Sequence, residues 1–476
     1  MRLRIAESRL RMAIAAIGVG AAVIGAISTA AQQAPPTGEF SELEGLARTE
    51  LNALNAPGAA IAIVKGDRIV YQQGIGIANI ETGQTVTPDM LFRVGSVTKM
   101  FTTAALVSLA EEGRIKLAEP IAKYATGIGG KLGRVTAHQL MSHTAGIRDE
   151  APAFGAHDET ALAATVKSWG DDYVFLEPGR IMSYSNPGMT LAGYVLEQVA
   201  KKPYADVIDE RLFKPLGMTR STFRPTVAMT WPFAQGHAAT GMEPPTIVRP
   251  FADNAGYWPA GFMFSSAPEL ARFAIAFMND GIIEGRAVFK PSTISTLSTG
   301  YADVPSSAEH ARYGYGLTTS THRGMRLVEH GGSIDGFGAS VRMLPDRKAA
   351  VIILVNGTSA SLTNTSERAL ELLAPLQPAV PTAVATIPMD ASEMMKYAGA
   401  YTNPPARVDL ALRDGKLYFR RGTQETEVTK IGDLQFSVTP TSGGHAQTFA
   451  LVPGPDGTIA FLHMGSRAFR RPPRAS

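Results

Sequence analysis

The 476-residue sequence contains no cysteine. That absence excludes disulfides, thiolate zinc sites, iron–sulfur clusters and a cysteine nucleophile. Tryptophan is scarce, at 3 residues, and charged residues make up 18% of the chain against 45% hydrophobic ones. The 47 glycines and 31 prolines follow no repeating period. Collagen-like, coiled-coil and wholly disordered architectures are therefore excluded. A chain of this length buries most of the surface its unfolded form exposes, needs no covalent staples and suggests about three domains.

An excess of one charge is missing too. The formal net charge of +3 arises in the first thirty residues, where Arg2, Arg4, Arg9 and Arg11 face Glu7 alone. No central Lys/Arg cluster exists, so a nucleic-acid partner is not expected. Arg467, Arg470, Arg471 and Arg474 crowd the C-terminus and read as a solvated last strand and tail. The one long hydrophobic run, Met12–Ile27, follows the basic start and precedes the small residues Ser28-Thr29-Ala30. This is the pattern of a secretory signal peptide (residues 1–30), cut after Ala30 or Ala31. A membrane-spanning helix wants about 20 apolar residues, and no cysteine follows to carry a lipid. The expectation is an exported bacterial protein, periplasmic or extracellular, with no stable membrane anchor after cleavage.

A Pro/Gln spacer (31–40) leads to an amphipathic helix pattern at Phe40–Leu54. Strand patterns at Ala59–Lys65 and Arg68–Gln73 follow, joined by Gly66-Asp67. Ser96 to Glu112 is the best helix signal, opened by a capping serine and stopped by Gly113. Val135 to Phe277 reads as helices and loops punctuated by proline. Strand patterns return at Arg326–Glu329, Ala339–Leu344 and Ala349–Val355, and Ser366–Leu373 closes with a helix. A Pro-rich linker (374–388) then separates a module of period-two segments, 389–476: Val408–Leu412, Leu417–Arg420, Thr426–Ile431, Gln435–Val438, Thr448–Val452 and Ile459–Met464. Strands, a helical middle and more strands describe an α+β catalytic domain (41–373) with an insertion, followed by an all-β domain.

Ser96-Val97-Thr98-Lys99 is the only Ser-x-x-Lys in the chain. At helical spacing the hydroxyl and the amine share a face. A serine hydroxyl becomes a good nucleophile when a neighbouring base takes its proton, and a desolvated lysine can be that base. The same residues also fit an N-cap serine above a solvated lysine. Tyr184-Ser185-Asn186 offers a phenol, whose pKa a lysine cation should depress, and a carboxamide to hold the lysine and the substrate. Tyr401-Thr402-Asn403 repeats that pattern in the C-terminal module and reads as structural. In His330-Gly331-Gly332 two glycines let a substrate approach the backbone, and the Ser333 N–H can face an oxyanion. His322-Arg323-Gly324 and His463-Met464-Gly465 read as turn or strand-end residues. No Gly-x-Ser-x-Gly elbow, His-Glu-x-x-His or Walker loop is present. Gly74-Ile75-Gly76 lacks the third glycine of a dinucleotide fingerprint.

In this order the three motifs resemble the serine β-lactamase and penicillin-recognising family, class C-like branch: class C β-lactamases, DD-peptidases, D-aminopeptidases and family VIII esterases. The stretches "LFRVGSVTKMFTTAAL", "HQLMSHTAGI", "YSNPGMTLAGYVLE" and "HGGSIDGFGASVRMLPDRKAAVIILVN" agree, over about residues 41–373. The resemblance implies the β-lactamase/transpeptidase-like fold, an antiparallel sheet flanked by helices with a mostly helical insertion. It also implies Ser96 as nucleophile, Lys99 and Tyr184 as its activating pair, and Asn186, His330 and Gly332 as substrate-binding or orienting residues. The N–H groups of Ser96 and Ser333 would form the oxyanion hole. Gly261 resembles a groove-lining position, or else a structural turn, and His143-Thr144-Ala145-Gly146 reads as scaffold. The C-terminal module resembles a lipocalin-like β-barrel.

One departure bears on substrate choice. Where β-lactamases proper carry Lys-Thr-Gly, this chain has His330-Gly331-Gly332, without the cation and hydroxyl that grip a carboxylate. A histidine there is mostly neutral and can relay protons. The expectation is a serine hydrolase without metal or cofactor, acting on a small-molecule or peptide ester or amide. The alternatives are a penicillin-binding or peptidoglycan-sensing protein that acylates without turnover, and a true class C-like β-lactamase.

Overall fold

The structure is a computed structural model that describes residues 38–239, 243–379, 386–439 and 446–472. The signal-peptide segment, residues 31–37 of the spacer, residues 380–385 of the linker and Arg474 lie outside them.

The centre is a nine-stranded antiparallel sheet. Its strands are β1 (Gly58–Lys65), β2 (Arg68–Asn79), β3 (Gln84–Thr85), β4 (Ala302–Asp303), β5 (Arg312–Tyr313), β6 (Thr318–His322), β7 (Met325–Ile334), β8 (Phe337–Leu344) and β9 (Ala349–Val355). The order is β4-β5-β6-β7-β8-β9-β1-β2-β3, so the two ends of the catalytic domain meet where β9 pairs with β1, Ala59 opposite Val355. Side chains alternate across the sheet. Ile61 and Ile63 of β1, with Val351 and Ile353 of β9, face Leu43, Ala47 and Leu51 of α1 (Glu42–Ala53). Ala60, Ala62 and Val64, with Ile352 and Leu354, face the larger core on the other side.

That larger core is built around α2 (Thr98–Glu111), which is buried almost all round. Phe101 sits against Phe213 and Phe273, ring centroids 5.8 and 4.9 Å apart. A helix apolar on every face is stable only inside a protein, and here α3 (Asn186–Ala200), α4 (Ala267–Met278) and the shorter helices of the insertion enclose it. α5 (Thr363–Leu373) returns to pack beside α1.

Beyond the linker, a short helix, α6 (Ala391–Tyr397), precedes a second nine-stranded antiparallel sheet. Its strands are β10 (Gly399–Asn403), β11 (Ala406–Arg413), β12 (Lys416–Arg421), β13 (Gln424–Glu427), β14 (Thr429–Gly432), β15 (Gln435–Val438), β16 (Gln447–Pro453), β17 (Ile459–Met464) and β18 (Arg467–Arg470). The order β13-β12-β11-β10-β18-β17-β16-β15-β14 leaves β13 and β14 as the two edges. They adjoin in sequence through Val428 alone, whose N–H bonds to Leu417, so the sheet curls into a nearly closed barrel. The single strand expected at Thr426–Ile431 is thus two strands, broken at buried Val428.

The barrel docks on the catalytic domain through named groups. Phe461 and Ala468 pack on Leu176. The Ser183 hydroxyl accepts from the Ala468 N–H (3.2 Å), and the Asn403 amide lies 3.4 Å from it. His463 stands at the end of β17, as expected, and is fully buried there, its Nδ1 accepting from the Ser306 N–H at 3.2 Å.

Candidate active site

Ser96 lies in a single 3₁₀ turn, Gly95–Val97, immediately before α2. It does not cap that helix. Thr98 closes the turn instead, its hydroxyl donating to the Gly95 carbonyl (2.7 Å) and accepting from the Met263 N–H (3.2 Å). The Ser96 hydroxyl is thereby free to face Lys99, whose Nζ is 3.0 Å away.

Lys99 is fully buried. Its Nζ donates to Asn186 Oδ1 (2.7 Å) and to the Ala260 carbonyl (2.5 Å). Two N–H bonds are thus assigned to acceptors, and the third direction points to Ser96. Burial lowers the Lys99 pKa to about 7, with Asp149 opposing and Arg467 adding to the shift. A neutral amine so held has its lone pair directed at the serine proton.

Tyr184 departs from the sequence-based expectation of a depressed pKa. Burial pushes its phenol well above the ordinary value, against smaller opposing effects of Ser96 and Arg467. The physical reason is burial, which penalises the phenolate; Lys99 Nζ sits over the ring face, 4.7 Å from the centroid, as a cation–π neighbour. Beneath the ring lies His143, centroid to centroid 4.3 Å, in a left-handed conformation with φ of 55°. Its Nδ1 accepts from the Ser185 N–H at 3.2 Å. His143 therefore orients the Tyr184–Asn186 segment.

His330 comes to the same groove but holds no mobile proton. Its Nδ1 lies 2.5 Å from the Gly331 carbonyl and its Nε2 3.0 Å from the Tyr313 hydroxyl. These partners assign an Nδ1–H donor and an Nε2 acceptor. Burial, with Lys99 nearby, lowers its pKa to about 4. The proton-relay role expected for a mostly neutral histidine is therefore not supported: both nitrogens are taken.

The glycines beside it differ. A Cβ on Gly332 would stand 2.0 Å from the Val94 carbonyl and 3.1 Å from the Ser96 nitrogen, whereas one on Gly331 meets only Ala339 O at 3.8 Å. At 332, and not at 331, the strand's backbone presses against the serine turn. A Cβ on Gly95 would in turn stand 2.5 Å from the Ser333 nitrogen. Ser96, Tyr184, Asn186, His330, Gly332 and Ser333 all line one groove of about 680 Å³, with Gly261 in its wall.

Two residues here were not singled out as site residues. Asp149, from the insertion, accepts from the Asn186 backbone N–H (2.8 Å) and side-chain amide (3.0 Å). Arg467, from the first residue of β18, donates from Nε to the other Asp149 oxygen (2.7 Å). The reading of all four C-terminal arginines as solvated thus fails for Arg467, which lines the groove, its guanidinium 5.0 Å from the Tyr184 ring centroid. Among the described residues no cluster of His, Asp and Glu could hold a metal ion.

The beta-lactamase family model matches residues 43–374. The chain belongs to the beta-lactamase family. It is a serine hydrolase of that family. Penicillin-binding protein 4 of Amycolatopsis lactamdurans is 27% identical over 318 residues, 64% of this chain and 82% of that protein. Among solved structures, SurE superposes with a TM-score of 0.75 at 24% identity, covering 91% of this chain and 99% of that one. The D-amino acid amidase from Ochrobactrum anthropi SV3 gives a TM-score of 0.60 at 22% identity, over 71% of this chain and 99% of its own. At these identities the structural likenesses establish the fold. The SurE coverage extends that likeness past the catalytic domain into the C-terminal module.

Proposed function

We propose that this beta-lactamase-family hydrolase opens esters or amides through an acyl-enzyme on Ser96, and that esterase or D-amino-acid-type peptidase turnover exceeds β-lactam hydrolysis. The arrangement of Lys99 carries the reading: a buried amine with two N–H bonds assigned and its third direction on the Ser96 hydroxyl.

In this reaction Lys99 takes the Ser96 proton as Oγ attacks the acyl carbon. The Ser96 and Ser333 N–H groups stabilise the resulting oxyanion. The C–O or C–N bond then breaks, and the leaving group gains its proton from the Tyr184 phenol, which is replenished from Lys99. Water repeats the sequence and frees Ser96. A penicillin-binding protein and a D-amino acid amidase among the similar proteins support this reading. The N-terminal segment supports an exported location for this one.

The groove's chemistry favours substrates without a carboxylate to be gripped. His330 is neutral, and Gly331 has no hydroxyl. Arg467, the groove's one permanent cation among the described lining residues, is bonded to Asp149 and, through Nη1, to the Gly465 carbonyl (2.8 Å). Mass spectrometry after a fluorophosphonate or a slow ester should place one adduct on Ser96. Continuous release from p-nitrophenyl butyrate distinguishes an enzyme from a sensor that stops after one equivalent. An adduct on another serine, with Ser96→Ala still active, overturns the proposal.

A further inference from the structure

The β barrel does more than touch the catalytic domain. The Tyr184 backbone N–H bonds to the Ser466 carbonyl at 2.8 Å, and the next residue, Arg467, reaches over the Tyr184 ring to Asp149. Asp149 holds Asn186 by two N–H groups, and Asn186 holds Lys99. Four side chains from the two domains therefore form one line: Arg467 of the barrel, Asp149 of the insertion, Asn186 at the start of α3, and Lys99 of α2. The Asp149 side chain is only 12% exposed, against 37% for Arg467.

We propose that Arg467 and Asp149 are a cross-domain positioning pair that fixes Asn186 and balances the charge around the Lys99 amine, so that the C-terminal barrel is part of the catalytic machinery. The inference rests on the reading of Lys99 as the base for Ser96.

Charge supports it. The groups close to Lys99 are Ser96, Tyr184, Asn186, His143 and His330. Burial keeps the two histidines neutral and the phenol protonated. Among the described residues only Asp149 and Arg467 bring full charges to bear on Lys99, of opposite sign and opposite effect. The neighbouring charges are engaged elsewhere: Arg148 pairs with Asp172 (2.9 Å), and Glu150 accepts from Tyr173 and Tyr257. Asp335 also lines the groove.

The pair therefore makes a prediction of sign that mere packing does not. Removing the cation with Arg467→Gln leaves Asp149 to favour the ammonium form of Lys99. The acid limb of kcat/KM then moves to higher pH. Removing the anion with Asp149→Asn, which keeps an oxygen for Asn186, leaves Arg467 to disfavour it. That limb moves to lower pH. Each shift should be about one pH unit, the size of one nearby charge in a partly solvated site, and the double variant should return towards wild type.

The experiment is the kcat/KM profile of the full chain with p-nitrophenyl butyrate from pH 5 to 9, for the wild type, both single variants, the double variant and Arg467→Lys. Arg467→Lys retains the charge and should keep the limb near its wild-type position while lowering kcat. Limbs that stay put, or move in the same direction, overturn the proposal. So does an Arg467→Gln variant whose only defect is a raised KM for the carboxylate-bearing nitrocefin, because Arg467 would then grip substrate. If Asp149→Asn fails to fold, the Arg467→Gln and Arg467→Lys pair alone decides between charge and packing. Fluorophosphonate labelling of Ser96 in each variant separates the two failures: an adduct elsewhere sinks the nucleophile assignment, while a Ser96 adduct with unmoved limbs sinks the pair.

Discussion

Lys99 Nζ stands over the face of the Tyr184 ring, 4.7 Å from its centroid. This placement separates two roles that a motif leaves merged. An amine beside the phenol oxygen would pull that phenol towards ionisation. Here burial keeps the phenol protonated and strips the amine above the ring of its proton. The residue with the pKa near neutrality is Lys99, at about 7.

The pH dependence follows with a definite sign. Below about 7 Lys99 is an ammonium and has no lone pair for the Ser96 proton; above it the amine is free. The kcat/KM for a neutral ester should rise through one ionisation near pH 7 and then level. Lys99→Ala should lower kcat by about 10²–10⁴. A wild-type limb at 10 or above would mean that Lys99 is not the neutral base near pH 7.

Tyr184→Phe removes the proton donor but not the base. It should cost kcat about 10²–10⁴ and leave the acid limb where Lys99 puts it. Lys99→Ala combined with Tyr184→Phe should lose little more than the worse single variant, because groups acting in one proton path are not additive. Losses that multiply would mean that the two act independently.

The glycine pair allows a sharper comparison of neighbours. Gly332→Ala drives a methyl into the Val94 carbonyl and towards the Ser96 nitrogen, so β7 and the serine turn must separate. The cost should be at least about 2 kcal/mol in stability, and kcat should fall at least a hundredfold. Gly331→Ala meets nothing closer than 3.8 Å and should be near neutral in both. Thermal unfolding and ester turnover of the two variants, measured side by side, check this.

Local patterns in the sequence are informative where the physics is local. The Ser96–Lys99 spacing is a property of one helical turn, and Ala349–Val355 is a strand with both faces buried, so its apolar run is unbroken. Gly399–Asn403 and Arg467–Arg470 are short strands with little apolar content, held by pairing with each other and with their neighbours. Their segments alone have no clear period. Thr318–His322 consists of polar residues on a partly exposed strand. Asp149 and Arg467 have no local signature at all: 318 positions separate them, and one arginine among four at a chain end looks like solvated charge until a tertiary contact singles it out. The raised pKa of the Tyr184 phenol is illegible in the sequence for a related reason: burial depends on what the rest of the chain covers.

The third motif sets the last prediction. Carboxylate-bearing β-lactams find no free cation–hydroxyl pair here, since His330 is locked between Tyr313 and the Gly331 carbonyl and Arg467 is bonded to Asp149. A charge-assisted hydrogen bond contributes roughly 1.5–3 kcal/mol, so its absence should weaken such substrates about tenfold to a hundredfold. Uncharged short-chain esters lose nothing. Wild-type kcat/KM should therefore be higher for p-nitrophenyl butyrate than for nitrocefin at neutral pH. Gly331 has room for an added Cβ, which Gly332 does not. The His330→Lys, Gly331→Thr double variant restores both groups and should move the ratio of the two kcat/KM values towards nitrocefin by about tenfold or more. Both values should be measured at pH 8, where Lys99 is mostly neutral, so that a change in its ionisation is not mistaken for a change in substrate grip. A wild type that strongly prefers nitrocefin would show that the groove grips the carboxylate by other means and that β-lactam hydrolysis is its better reaction.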